Sequence, residues 1–316
     1  MAAGGSWSDP EDGRMFEVRR SYTSSDFPVE RVRSAKRGRT VSVCLPAHNE
    51  ADSVASVVTV IVEDLMEAAG IVDELFVLDD CSTDDTAAVA AAAGAMVMRS
   101  SELLPDVEGP GKGQAMWKAL QATSGDLVVY CDADVVNFDS GFVLGLVGPL
   151  LTRDDVAFVK GFYDRPLEGA STGGGRVTEL MARPLITVLY PHLSDLAQPL
   201  SGECAARRDV LEAIPFAGGY AVDLGLLIDV TARFGNTSLV QCDLGSRVHR
   251  NRPLSQLGPQ ALAILQLALA RCGSTSSPDI ERDYSHVLNM PGVEPALVEL
   301  LELPAVSELP ATRLTA

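Results

Sequence analysis

The feature that most constrains the fold is an alternation of short apolar runs with segments whose apolar residues recur at helical spacing. Thr40-Val41-Ser42-Val43-Cys44-Leu45 reads as a strand that stops at Pro46. Residues 52–69 put Val54, Val57, Val58, Ile61, Val62 and Leu65 on one helix face. A second apolar run, 74–78, ends in Asp79-Asp80-Cys81-Ser82-Thr83-Asp84. The alanine-rich residues 86–93 read as a helix stopped by Gly94, and 95–98 as a third short strand. Residues 112–123 form a helix ended by Ser124-Gly125, and a fourth strand, 126–131, leads into Asp132-Ala133-Asp134. Strands joined through helices need right-handed crossovers, so the class is α/β, a mainly parallel buried sheet flanked by helices.

On such sheets ligands sit at the carboxyl ends of the strands. Three polar clusters fall there: 46–50, 79–84 and 132–134. Beyond residue 150 the pattern changes. Strands are predicted at 156–161 and 237–244, helices at 223–234 and 259–271, the last of them apolar. Residues 1–14 are small and polar and are expected to carry no fixed structure. Residues 15–38 are basic and mixed, with a short helix after Ser24-Ser25-Asp26. The chain therefore divides into an N-terminal polar segment (1–36), a part of alternating strands and helices (37–150), a part of changed pattern (151–272) and a tail (273–316) without recognisable chemistry.

Charge and cysteine use exclude several classes. A formal net charge of −18 repels nucleic-acid backbones and anionic lipid, so neither is an expected partner. No apolar stretch approaches the ~20 residues of a membrane span, and the N-terminus lacks the basic start and apolar run of a secretory signal. None of the six cysteines forms a C-x-x-C pair, which fits a reducing compartment. A cytoplasmic protein is expected.

Four motifs carry chemistry. Asp132 and Asp134, two apart beyond a buried strand, repel each other unless a cation sits between them. Mg²⁺ or Mn²⁺ prefers carboxylate oxygens and keeps positions open for substrate phosphates. Arg247-Val248-His249-Arg250-Asn251-Arg252 is dense in arginine for so acidic a chain; guanidinium forks match phosphate and carboxylate oxygens, and His249 offers an imidazole to a metal. Gly109-Pro110-Gly111-Lys112-Gly113-Gln114 lets backbone N–H groups approach a phosphate, with Lys112 as a point charge near a helix start; Gly113 stands where a Walker A loop needs Ser or Thr. Gly173-Gly174-Gly175-Arg176-Val177-Thr178 makes an anion cradle at the start of a helix. The first strand runs into Pro46-Ala47-His48-Asn49-Glu50 and not into G-x-G-x-x-G, which argues against a nicotinamide enzyme.

Together these segments resemble the GT-A glycosyltransferases, and more closely the retaining glucosyl-3-phosphoglycerate synthases of actinobacteria. The resemblance spans about residues 36–272 and rests on PAHNE, LDDCSTDDT, PGKGQAMWKAL, CDADVVN, GGGRVTELMARPL, QPLSGE, GLLIDV and RVHRNRPL. It implies a GT-A (Rossmann-like) sheet with a C-terminal acceptor-binding lobe. It implies that Pro46, Ala47, His48, Glu50 and Asp80 hold the uridine, that Lys112 faces the nucleotide, and that Asp132 and Ala133 line the ribose side. Asp134 and His249 would coordinate Mg²⁺ or Mn²⁺. Gly175, Arg176, Thr178 and Asn251 would hold 3-phosphoglycerate, a small anionic acceptor. Asp134, Asp223 and Glu203 would be the catalytic carboxylates, with Ser201 and Gly202 beside the sugar. A homodimer is the family expectation. The chain departs from the family pattern at His48 (usually Leu), Asp80 (usually Ser) and Asp223 (usually Glu, one methylene longer). The implied reaction is transfer of glucose from UDP-glucose, or a guanosine analogue, to the 2-hydroxyl of 3-phosphoglycerate with retention. A polyprenyl-phosphate glycosyltransferase is the runner-up, because helix 259–271 is apolar enough to face lipid. A nucleotidyltransferase would need a Gly- and Arg-rich loop after the first strand, and a non-catalytic sugar-nucleotide sensor would not need both Asp132 and Asp134.

Overall fold

The structure is a computed structural model; it describes residues 7–8, 15–16, 19–104, 107, 111–164, 175–248, 254–273, 285–290 and 293–309. An eight-stranded sheet forms its centre. In chain order the strands are β1 (Ser21–Thr23), β2 (Val41–Ala47), β3 (Glu74–Asp79), β4 (Met96–Arg99), β5 (Leu127–Tyr130), β6 (Phe158–Asp164), β7 (Cys204–Arg207) and β8 (Leu239–Ser246). Their spatial order is β1-β8-β6-β7-β5-β2-β3-β4, and only β7 is antiparallel to its neighbours.

Side chains alternate across this sheet as a period of two requires. Val43, Leu45, Val77 and Val129 join one apolar layer with α1 (Val29–Lys36), α2 (Val54–Val60), α3 (Thr86–Ala92) and α5 (Ser140–Thr152). Cys44, Phe76, Leu78, Val128 and Tyr130 join the other, with α4 (Lys112–Ala122), α6 (Arg183–Leu189), α7 (Arg208–Glu212), α8 (Val222–Phe234) and α9 (Leu254–Gly273). The continuously apolar strands of the sequence are therefore strands covered on both faces.

Several boundaries differ from the sequence reading. The first strand runs through Pro46, whose ladder partner is Leu78. Pairing with β5 ends at Cys44, so beyond it one edge of β2 is unladdered and the missing N–H of proline costs little there. Helix α2, by contrast, keeps the extent expected over 52–69, continuing past Val60 in wider turns to Ala68. Trp7–Ser8, in the segment expected to lack structure, pairs antiparallel with Met15–Phe16. The tail contributes strands Ser285–Met290 and Val293–Glu299, paired with each other, and Glu302–Leu303, paired with Phe216–Ala217. The apolar run 142–151 is α5, with Phe142, Val143, Leu146, Val147 and Leu150 buried. The apolar face of α9 is buried too: Ile264, Leu267 and Ala268 pack into the layer around α8. Among the described residues no helix is long and apolar enough to cross a membrane.

Strands β1 and β7 are the two of the central sheet not expected from the sequence, and β7 lacks a sequence signal altogether. Its Cys-Ala-Ala-Arg lacks the β-branched and aromatic residues that mark strands. Because it runs backwards, its amino end lies at the sheet edge where β2, β3, β5, β6 and β8 have their carboxyl ends. Glu203, just before β7, is thereby brought to the same edge as Asp80, Asp132 and Arg247.

Candidate active site

The centre of this edge is a connected chain of charges. Lys160 of β6 places Nζ 3.3 Å from Asp223 Oδ1. Asp223, in the first turn of α8, lies 3.5 Å through Oδ2 from Lys112 Nζ at the start of α4. Lys112 donates to Asp132 Oδ1 at 2.9 Å. The other oxygen of Asp132 accepts from Arg247 Nη1 at 2.9 Å, while Arg247 Nη2 donates to Asp134 Oδ1 at 2.5 Å. Arg247 Nη1 also lies 3.0 Å from Glu203 Oε1 and donates to the Tyr163 hydroxyl at 2.6 Å, its guanidinium 5.3 Å from the centre of that ring. The lysine inside β6 is anchored from behind by the Ser201 carbonyl at 2.7 Å.

Local chain geometry makes these approaches possible. Gly202 sits against Asp132 so closely that a Cβ would stand 2.1 Å from Asp132 Oδ2, so no other residue fits there without moving the aspartate. Arg247 follows β8 directly, and its N–H donates to the Asp164 carbonyl at the end of β6. The fork thus grows from the sheet itself, which fixes its direction.

The electrostatics follow from burial and neighbours. Burial alone would raise the Asp132 pKa; the Lys112 and Arg247 charges outweigh it and hold that carboxyl well below the usual range. Burial likewise works against the Lys112 ammonium, but Asp132 and Asp223 push its pKa well above normal. Glu203, fully buried, goes the other way: desolvation raises its pKa, which Arg247 only partly offsets and the charge of Asp132 reinforces. Four carboxylates meet three cations here, so one negative charge is left over. Asp132 and Asp134 keep about a quarter of their side-chain surface exposed, at 26% and 24%. Hard oxygen donors, an excess negative charge and an open side fit a divalent cation of the Mg²⁺ or Mn²⁺ type. Among the described residues no three His, Cys, Asp or Glu side chains form a metal cage. An ion that bridges one or two carboxylates to substrate phosphates needs none.

Next to this chain lies the edge formed by β2 and β3. The Asp80 carbonyl accepts from His48 Nδ1 at 2.7 Å; a carbonyl cannot donate, so the ring proton is on Nδ1. Asp80 Oδ2 accepts from Gly111 N–H at 2.7 Å, tying the loop before Lys112 to β3, and burial raises the Asp80 pKa. Glu50 is fixed through its N–H to Thr86 Oγ1 at 2.8 Å and accepts from Ser53 Oγ at 3.1 Å. Pro46 and Ala47 are the last residues of β2, and Ala133 is buried between the two aspartates. The predicted acceptor residues stand on a separate element, the helical segment 176–189. Gly175 takes φ +79°, a conformation that suits glycine, before exposed Arg176 and buried Thr178. His249 and Asn251 lie outside the described residues.

The arginine-dense run 247–252 is read from the sequence as matching phosphate or carboxylate oxygens; in the structure Arg247 grips the protein's own carboxylates. Lys160 and Tyr163 were missed altogether. A signal existed: a lysine inside an apolar strand covered on both faces must find a carboxylate, because an unpaired buried ammonium is too costly.

Comparison with known proteins agrees with this geometry. The glycosyl transferase family 2 profile matches residues 42–214. A glucosyl-3-phosphoglycerate synthase of Mycolicibacterium paratuberculosis is 47% identical over 283 residues, covering 87% of this chain and 85% of that protein. One of Mycobacterium tuberculosis is 49% identical over 259 residues, 79% of each chain. A crystal structure of the Mycobacterium tuberculosis glucosyl-3-phosphoglycerate synthase with Mn²⁺, UDP-glucose and phosphoglyceric acid superposes with a TM-score of 0.78 at 44% identity, covering 89% of this chain and 94% of that one. Another, with Mg²⁺ and UDP, also has a TM-score of 0.78, at 43% identity over 91% of this chain and 98% of that one. At these identities and coverages the chain belongs to the glucosyl-3-phosphoglycerate synthases, glycosyltransferases of glycosyl transferase family 2.

Proposed function

We propose that this chain transfers glucose from UDP-glucose to the 2-hydroxyl of 3-phosphoglycerate, with retention at the anomeric carbon, and that Mg²⁺ or Mn²⁺ is its cofactor. The observation that carries the reading is the single charge chain from Lys160 through Asp223, Lys112, Asp132 and Arg247 to Asp134 at the sheet's ligand-binding edge. It offers hydroxyl acceptors, a phosphate-facing ammonium and a cation-binding carboxylate pair within one connected site. The relatives crystallised with Mn²⁺, UDP-glucose and phosphoglyceric acid support the same substrates.

In this reading residues 37–150 hold the donor and 151–272 the acceptor. Pro46, Ala47, His48, Glu50 and Asp80 hold the nucleoside, Asp132 and Ala133 the ribose side, and Lys112 the diphosphate. Asp134 and His249 hold the metal, which when bound neutralises the departing diphosphate. Arg247 keeps Asp132 and Asp134 aimed into the site. Gly175, Arg176, Thr178 and Asn251 hold the acceptor's phosphate and carboxylate. Asp223 accepts from sugar hydroxyls, and Glu203 backs Arg247. Neither Asp223 nor Glu203 is a free nucleophile, since each is already committed to a cation. That supports attack by the acceptor from the leaving-group face, with a donor phosphate oxygen taking its proton. A cytoplasmic homodimer goes with this reading; Cys44, Cys131, Cys204 and Cys242 are buried as small apolar groups, which fits a reducing compartment.

The test is transfer by purified protein from a panel of nucleotide sugars, with Mg²⁺, Mn²⁺ or chelator, and with 3-phosphoglycerate or a polyprenyl phosphate as acceptor. Metal-dependent formation of glucosyl-3-phosphoglycerate is expected. Turnover that ignores 3-phosphoglycerate and needs the lipid would overturn the acceptor. Arg176→Ala should raise the acceptor KM with little change in kcat.

A further inference from the structure

We propose that residues 301–309 form a strap that positions Asp223 against Lys112, and that Trp117, through its bond to this strap, is a positioning residue for glucose transfer; the inference rests on the donor-site reading above. Glu302 and Leu303 pair with Ala217 and Phe216, and the Gly218 N–H donates to the Leu301 carbonyl at 2.7 Å. Leu303, Ala305 and Val306 are buried, and Leu303 and Val306 share an apolar layer with Trp117, Val222 and Leu224. The Trp117 indole, 1% exposed, donates through Nε1 to the Pro304 carbonyl at 2.9 Å. Arg271 of α9 pairs with Asp229 of α8 and with Glu302 of the strap.

The segment 216–220 is therefore held from two sides. On one side is the strap. On the other is the first turn of α4, where Gly113 packs so tightly that a Cβ would lie 1.9 Å from the Ala217 carbonyl oxygen, and Gln114 Oε1 accepts from the Gly219 N–H at 2.8 Å. That segment leads straight into α8, whose first turn carries Asp223, and α4 begins at Lys112. The Lys112–Asp223 approach of 3.5 Å thus depends on a short piece of chain pinned between helix and strap. Without the strap, α8 can draw back from α4, and the carboxylate meant for the sugar hydroxyls moves while the nucleotide contacts on β2 and β3 stay in place.

The experiment compares the full chain, a chain ending at Leu300, and Trp117→Phe, which keeps the ring but removes the indole N–H. Each is assayed well below its own Tm for transfer from UDP-glucose to 3-phosphoglycerate, and UDP affinity is measured by calorimetry. Misplacement of the sugar contact with the nucleotide contacts intact predicts UDP affinity within about twofold of wild type, kcat lower by roughly tenfold in the shortened chain and about threefold in Trp117→Phe. A peptide spanning 298–309, added in trans, should restore part of the shortened chain's kcat. If the shortened chain does not fold, Trp117→Phe carries the test. An unchanged kcat in Trp117→Phe, or kcat and UDP affinity falling in parallel as in general loosening, would overturn the strap. A wild-type protein that binds UDP but transfers no glucose would overturn the underlying function.

Discussion

Two acidic loops lie at the same sheet edge and are stabilised by opposite means. In the loop after β3, carboxylates are satisfied mostly by nearby backbone. Asp79 accepts from the Ser82 N–H at 3.1 Å, Asp84 from the Thr86 and Ala51 N–H groups at 3.1 and 3.2 Å, and Asp80 from that of Gly111. In the loop after β5, Asp132 and Asp134 are satisfied by cationic side chains, Arg247 being more than a hundred positions away. The first loop is a turn that would hold its shape in many proteins. The second has repulsion built into it that only distant charges, or a bound cation, relieve. Acidic clusters of similar appearance are thus held differently: on the proposed function, one shapes a binding wall and the other keeps a charged site ready for exchange of counter-ions.

Substitutions can break this contrast. The largest effect is expected for Asp134→Ala, which removes a cation-facing carboxylate without touching the core. Transfer should fall by on the order of 10²–10³-fold while circular dichroism and UDP-free stability stay close to wild type; full activity would remove Asp134 from the site chemistry. Glu203→Ala should act on stability as well as rate. It strips one buried partner from Arg247 but leaves three carboxylates against three cations, so the loss should be about 1–2 kcal/mol, readable in urea unfolding. A variant as stable as wild type would mean that Asp132, Asp134 and Tyr163 suffice for Arg247.

On the other loop, Asp79→Ala removes a single carboxylate–backbone bond and should cost about 1–2 kcal/mol, with kcat changed far less than by Asp134→Ala. A comparable loss of kcat would erase the distinction between the two loops. The smallest effect concerns a site remote from both. His192 is half-buried; burial first, and then the charge of Arg19, depress its pKa below the ordinary value, with Asp195 opposing. The unfolded chain then binds the proton before the folded one does. Stability should fall as pH drops from about 6.5 through the folded value, and be unaffected by this group above that window. His192→Gln should flatten the dependence of Tm on pH between about 7 and 5; an unchanged slope would assign the acid sensitivity elsewhere.

Much of the donor half could be read directly from residue order. The strands around Val43, Val77 and Val129, the helices at 54–68, 86–92 and 112–122, and the polar clusters at strand ends rest on local periodicity and turn chemistry, which act over a few residues. The bonds of Asp79 to Ser82 and of Asp84 to Thr86 belong to the same class, whereas that of Asp84 to Ala51 spans distant positions. Strand β7 was hidden because Cys-Ala-Ala-Arg has no strand preference of its own; it becomes a strand only when flanked by β5 and β6. Lys160 and Tyr163 looked like strand filling, and the tail looked inert, because their partners at Asp223, Arg247 and Trp117 are far along the chain.

Short-range pattern and the handedness of crossovers set which segments are strands and helices over most of the sheet, the parallel α/β class, and the edge at which the polar clusters gather. Which cation neutralises which carboxylate was settled only once the chain had folded. Charges select partners by distance in space, and the fold brings Lys112, Lys160 and Arg247 around four acids that the chain spreads from residue 132 to 223.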